Sequence, residues 1–251
     1  MFGLSKPRLP ITEEQRLWVD KSFLRLAAML GKDRMMEAPV FLPIPEHFPD
    51  PWEESEVGLG RMFERVAYLM EVDITGVDIE LFDNEHEVTQ NLVPFSSGKG
   101  SGAGGLYQSR DRVRIGVSAA QLKNPLALVA TLAHELGHVI LLRPGLVSHE
   151  ESDMEPLNDL LTVFLGFGVF NANSAFQFEQ YTTNGSQGWS HRRLGYLSEE
   201  LFGYALARFA YERGEAKPHW AKHLSTNISA YFRRSLAWME ADRISIFQSL
   251  G

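Results

Sequence analysis

Two histidines and a glutamate stand at the spacing that metal-assisted hydrolysis needs: His134-Glu135-Leu136-Gly137-His138. Residues four apart share one face of a helix, so both imidazoles can reach one ion. Glu135 is turned from His134 by about 100°. It can touch a water on that ion and take its proton without being a ligand. From residue usage alone such a five-residue pattern arises in roughly one chain in a hundred of this length, so its surroundings must decide. The competing reading is two histidines and a glutamate on an ordinary solvated or core helix face.

The surroundings favour chemistry. Asn124-Pro125 opens a helix, with Asn as N-cap and Pro at the first helical position, and the helix is expected to run to about Leu142 before Pro144-Gly145. Leu128, Val129, Leu132, Ala133, Leu136, Val139 and Ile140 surround the motif, and burying His134, Glu135 and His138 among them costs free energy unless partners or a metal satisfy them. Gly137 is a poor helix former in mid-helix, which makes sense where another group approaches closely.

Composition narrows the ligand chemistry. The chain has 251 residues and no cysteine, so thiolate zinc sites, iron–sulfur clusters, disulfide scaffolds and cysteine nucleophiles are excluded. Any metal must sit on His, Asp or Glu. The net charge of −8 argues against a nucleic-acid partner, because phosphate binding rests on clustered Lys and Arg. The longest apolar run, Leu160–Phe170, has 11 residues, too few to span a bilayer as a helix, and no membrane partner is expected. Met1–Pro10 has two prolines and no long apolar run, so it does not read as a secretory signal; the expected location is cytoplasmic.

The segment Ala130–Ile140 resembles the active-site helix of the zincin metallopeptidases, and the strand Arg112–Val117 upstream fits the edge strand that borders the substrate cleft in that group. The resemblance covers about Arg112–Phe170. Leu141 and Pro144 exclude the metzincin continuation, and the absence of cysteine excludes a deformylase. Glu155-Pro156-Leu157-Asn158-Asp159 is similar to the gluzincin ExxxD pattern. The resemblance implies one zinc per chain, Glu155 as third ligand beside His134 and His138, and Asp159 as acceptor of the second His134 N–H. Alternatives stay open at this point. Pro156 disfavours helical geometry at Glu155, Ser152-x-x-Glu155 also has capping-box spacing, Asp159 is a rival third ligand, and His149 and Glu151 are weaker rivals. An oxyanion donor is expected in Trp189–Leu197, where Tyr196 or His191 could serve and Arg192 or Arg193 could hold a carboxylate, against the alternative of a surface loop with a packing tyrosine.

These residues need positioning elements. Thr12 caps a helix that Gly31 stops. Pro39–Pro51 holds five prolines and reads as an extended connector, and a helix is expected over Glu56–Met70. Val77–Phe82 and Arg112–Val117 alternate as half-exposed strands. Ser96–Gly105, with glycine at 98, 100, 102, 104 and 105, is expected to be a rim loop; a strand follows it, not the helix that a dinucleotide fingerprint requires. One helix is expected over Pro156–Phe170 and two or three after Ser198. His219 and His223, four apart, are expected on a surface helix with no metal.

The expected architecture is α+β and zincin-like: one domain over 1–251 with a small, mostly antiparallel sheet on the HExxH helix. Residues 1–71 form an N-terminal helical part and connector, 72–170 the sheet and ligand helices, and 171–251 a C-terminal helical part. The expected activity is zinc-dependent hydrolysis of a peptide or protein substrate with Glu135 as general base. A protein of another class, a metal-binding regulatory module without turnover or with a single target, is the alternative.

Overall fold

The computed structural model describes residues 8–83, 104–108, 112–143, 146–148, 151–183, 197–242 and 245–247. The elements are α1 (Glu13–Leu30), α2 (Lys32–Glu37), α3 (Glu56–Met70), β1 (Val77–Phe82), β2 (Gly104–Gln108), β3 (Val113–Ser118), a 3₁₀ turn (Ala119–Lys123), α4 (Pro125–Leu141), α5 (Met154–Phe164), α6 (Gly168–Thr183), α7 (Glu199–Glu212), a second 3₁₀ turn (His219–His223) and α8 (Thr226–Asp242). The class is α+β. Among the described residues no helix is long and apolar enough to cross a membrane. The chain divides into two compact units, neither of them continuous in sequence: residues 1–42, 159–176 and 196–251 form one, and residues 43–158 and 177–195 form the other.

The second unit carries the HExxH motif. Its sheet has the order β1-β3-β2. β1 runs parallel to β3, with Val77 opposite Val113 and Phe82 opposite Ser118; β2 runs antiparallel to β3, with Gly104 opposite Val117. Two expectations are corrected here. The sheet is mixed, not mostly antiparallel. The strand expected at the edge, Arg112–Val117, is central, because Gly104–Gln108 pairs along its other side. Gly104 and Gly105 therefore belong to a strand; residues 96–103 of the expected loop lie outside the described residues. Glycine weakens a strand locally, so the run hid β2 from pattern reading.

All six residues of β1 are half-buried, so the strand does not show the single wet face that its alternation implied. Asp78 pairs with Arg112, and Glu80 with Arg114 at 3.3 Å, all partly exposed, so the pairs set register more than they add stability. On β3, Ile115 and Val117 are fully buried. α3 starts where the Ser55 hydroxyl accepts the Gly58 N–H at 3.1 Å, and it buries Leu59, Phe63, Val66 and Met70. α3 packs on α4 and on β1, and α4 packs on β2 and the first 3₁₀ turn. Trp52 Nε1 donates to the Leu122 carbonyl at 3.0 Å and ties the proline-rich connector to that turn.

The first unit is helical. α1 opens on a complete capping box, with Thr12 and Gln15 exchanging bonds of 2.8 and 3.2 Å, and ends at Gly31 with φ +92°. The helix expected over Pro156–Phe170 is instead two. It starts earlier, at Met154, and breaks at Gly166, whose φ is +87°. A Cβ there would lie 1.9 Å from the Pro39 carbonyl oxygen, and the Gly166 carbonyl accepts the Phe41 N–H at 2.9 Å. The break is a docking point for the connector, a long-range cause that helix periodicity does not register.

α7 packs against α1 and α8. Arg208, with no exposed surface, donates to Asp20 at 3.0 and 3.3 Å and to the Tyr204 hydroxyl at 2.8 Å, while the Tyr204 O–H donates to Asp20 at 2.8 Å. Burial pushes the Asp20 carboxyl up, and Arg208, Tyr204 and Arg16 pull it back without fully offsetting the burial. Arg208→Met removes one partner of this buried ion pair, and we expect a loss of about 3–5 kcal/mol, read as a lower urea midpoint at unchanged slope.

Candidate metal centre

α4 forms as its cap and apolar content dictate. The Asn124 side chain accepts the Ala127 N–H at 3.2 Å, and Pro125 occupies the first helical position. The helix is buried nearly all round, so its polar residues need a reason. His134, Glu135 and His138 are only 3%, 3% and 7% exposed.

α5 supplies the third group. Pro156 falls in its first turn, where a missing N–H costs nothing, and Glu155 precedes it at the helix start. Glu155 Oε2 lies 3.0 Å from His134 Nε2 and 3.4 Å from His138 Nε2, and the two Nε2 atoms are 3.2 Å apart. The imidazole planes are near perpendicular, at 85°. Among the described residues this is the group of His, Asp and Glu side chains arranged so that it could hold a metal ion.

A zinc ion with bonds of about 2.0–2.1 Å at tetrahedral angles sets its donor atoms about 3.3–3.4 Å apart. The observed triangle, 3.0, 3.2 and 3.4 Å, is close to one face of that tetrahedron, so two imidazoles and one carboxylate fit such an ion. Among the described residues no fourth His, Asp or Glu joins them. Burial pushes the Glu155 carboxyl up, but hydrogen bonds and charge from His134 and His138 outweigh it and hold the group well below the usual carboxylate range. Glu135 is the opposite case. Burial pushes its carboxyl up, the two histidines pull it down, Glu155 pushes it up again, and the net direction is up.

The structure brings together His134, His138 and Glu155, with Glu135 close enough to feel all three. Of the rivals for third ligand, Asp159 belongs to the first unit, where its Oδ2 accepts the Leu197 N–H at 2.8 Å. Glu151 accepts the Ser148 N–H at 3.3 Å and is not in the group. His149, His191, Tyr196, Arg192 and Arg193 lie outside the described residues. His219 and His223 stand on a 3₁₀ turn, not an α-helix, so a spacing of four does not align them.

One residue at the site went unassigned in the sequence. Asn158 is fully buried and its Nδ2 donates to the His134 carbonyl at 2.8 Å. A Cβ on Gly137 would lie 2.2 Å from Asn158 Oδ1. The mid-helix glycine was the signal, since it calls for a close approach without saying by what. Gly137→Ala gains helix propensity of about 1 kcal/mol but drives a methyl group into Asn158, and such overpacking costs about 1–3 kcal/mol. We expect the clash to win and the melting temperature to fall, measured by circular dichroism on metal-free protein.

Compared with protein-family models, with curated proteins and with solved structures, the chain matches none.

Proposed function

We propose that this protein is a zinc-dependent metallopeptidase of zincin type, with His134, His138 and Glu155 as ligands and Glu135 as general base. The observation that carries the proposal is the triangle of ligand atoms, 3.0, 3.2 and 3.4 Å on edge, with an unliganded buried glutamate one residue along the same helix. A zinc ion held there supplies Lewis acidity, polarising a peptide carbonyl and lowering the pKa of a water.

The rest of the chemistry belongs to the chain. Glu135 is buried on the same helix, next in sequence to the ligand His134, which suits it to accept a proton without binding the ion. Its Oε atoms take the proton from the attacking water and return it to the departing amine nitrogen. Glu155 would bring to the ion the negative charge that the two neutral imidazoles lack, and its Oε2 stands near both of their Nε2 atoms. The apolar surroundings on α4 exclude bulk water, which strengthens each of these interactions. The proposal is tested by cleavage of a peptide library by zinc-loaded protein and by its Glu135→Gln variant. Cleavage by the wild type alone supports it; cleavage by both, or by neither, contradicts it.

A further inference from the structure

The metal ligands come from two helices, α4 and α5, so something must hold the first turn of α5 at a set distance and register along α4. Packing of apolar side chains fixes distance loosely. A residue that touches both the backbone of a ligand and a point one turn away fixes both quantities.

Asn158 has that placement. It follows Glu155 by three residues and so shares its face of α5. Its Nδ2 donates to the carbonyl of His134, itself a ligand, at 2.8 Å. Its Oδ1 rests against Gly137, three residues further along α4, where a Cβ would stand 2.2 Å away. One planar amide thus spans nearly a turn of α4 and is anchored at both ends of that span. The orientation of the amide is set by chemistry, since only Nδ2 can donate to a carbonyl.

A role in stability alone accounts poorly for this residue. Oδ1 is buried and finds no donor among the described residues, and an unsatisfied buried acceptor is unfavourable. An apolar side chain would carry no such cost. What asparagine adds is direction: a hydrogen bond to the backbone of one ligand from a residue one turn after another.

We propose that Asn158 is the positioning residue of the metal centre, setting the separation of Glu155 from His134 and His138 by clamping α5 to α4 at the His134 carbonyl and at Gly137. The proposal rests on the metal-site reading above. Residues of this kind typically change metal affinity ten- to a hundredfold when replaced.

The test uses the full chain, as wild type, Asn158→Ala and Asn158→Leu, each confirmed as folded by circular dichroism. Zinc affinity is measured by competition with a chelator, and cobalt is substituted to read ligand geometry from its visible absorption. We expect both variants to bind zinc about ten- to a hundredfold more weakly and to shift or weaken the cobalt bands. The metal-free melting temperature of each variant reads lost hydrogen bonding and changed packing apart from metal binding. Wild-type zinc affinity and an unchanged cobalt spectrum in Asn158→Leu would show that Asn158 only fills space, and would overturn the proposal while leaving the metal site standing. A wild-type chain that takes up neither metal overturns the site and the clamp together.

Discussion

Glu135→Gln is expected to keep zinc and to lose hydrolysis by about 10²–10⁴-fold, the usual contribution of a positioned general base. Gln matches Glu in shape and cannot accept the proton. Glu135 is absent from the triangle of ligand atoms, so zinc affinity should stay within a factor of a few. Stability should move the other way. The folded-state pKa of Glu135 is raised by burial, so the contribution of this group is fully present below the ordinary glutamate value, about 4.3, and is lost as pH rises through the folded value. At pH 7 the metal-free Glu135→Gln protein is therefore more stable than the metal-free wild type. The gap closes as the pH is lowered toward about 4.3. Urea midpoints across that range read the stability, and kcat/KM on a responsive peptide reads the catalysis. A variant that is both fully active and no more stable would remove Glu135 from the mechanism. A purely regulatory metal module would show the stability effect with no catalytic one.

The second large effect concerns the ligands. Zinc at a hundred times its Kd stabilises the folded chain by about 2.7 kcal/mol. For a chain of this size that is a rise in Tm of about 5–11 °C, at 2–4 °C per kcal/mol. His138→Ala removes one corner of a triangle whose edges are 3.0–3.4 Å and leaves a two-ligand site, so the zinc-dependent rise should vanish. Metal-free His138→Ala should itself melt lower, because a buried imidazole is lost and Glu155 loses a partner, so the readout is the zinc-dependent difference within each protein. The comparison is made by differential scanning calorimetry with and without zinc. A zinc-dependent shift that survives in His138→Ala would place the metal elsewhere.

The local elements around this site were legible because their causes are local. α3 spans Glu56–Met70 and β1 spans the alternating Val77–Phe82 as expected. α4 starts at Asn124-Pro125 and places His134 and His138 on one face. The proximity of Glu155 could be proposed only by likeness to other proteins, because Glu155 lies 17 positions after His138 and no periodicity crosses that gap.

What escaped the sequence had distant causes. β2 is a strand because β3 offers it a partner, and its glycines say the opposite locally. The break at Gly166 exists because the Pro39 carbonyl stands where a Cβ would go. The central place of β3 depends on which strands flank it, and alternation cannot report sheet order. Asn158 sits in a pattern whose neighbours drew the attention, while its own partner, the His134 carbonyl, is a backbone group with no signature. Gly137 was the trace it left.

The central claim is that His134, His138 and Glu155 hold one zinc per chain. Native mass spectrometry of zinc-titrated full-length protein, beside His134→Ala, His138→Ala and Glu155→Ala, tests it directly. The prediction is a single bound zinc on the wild type at micromolar metal and none on each variant. A wild type that stays metal-free, or three variants that each retain one zinc, would contradict it.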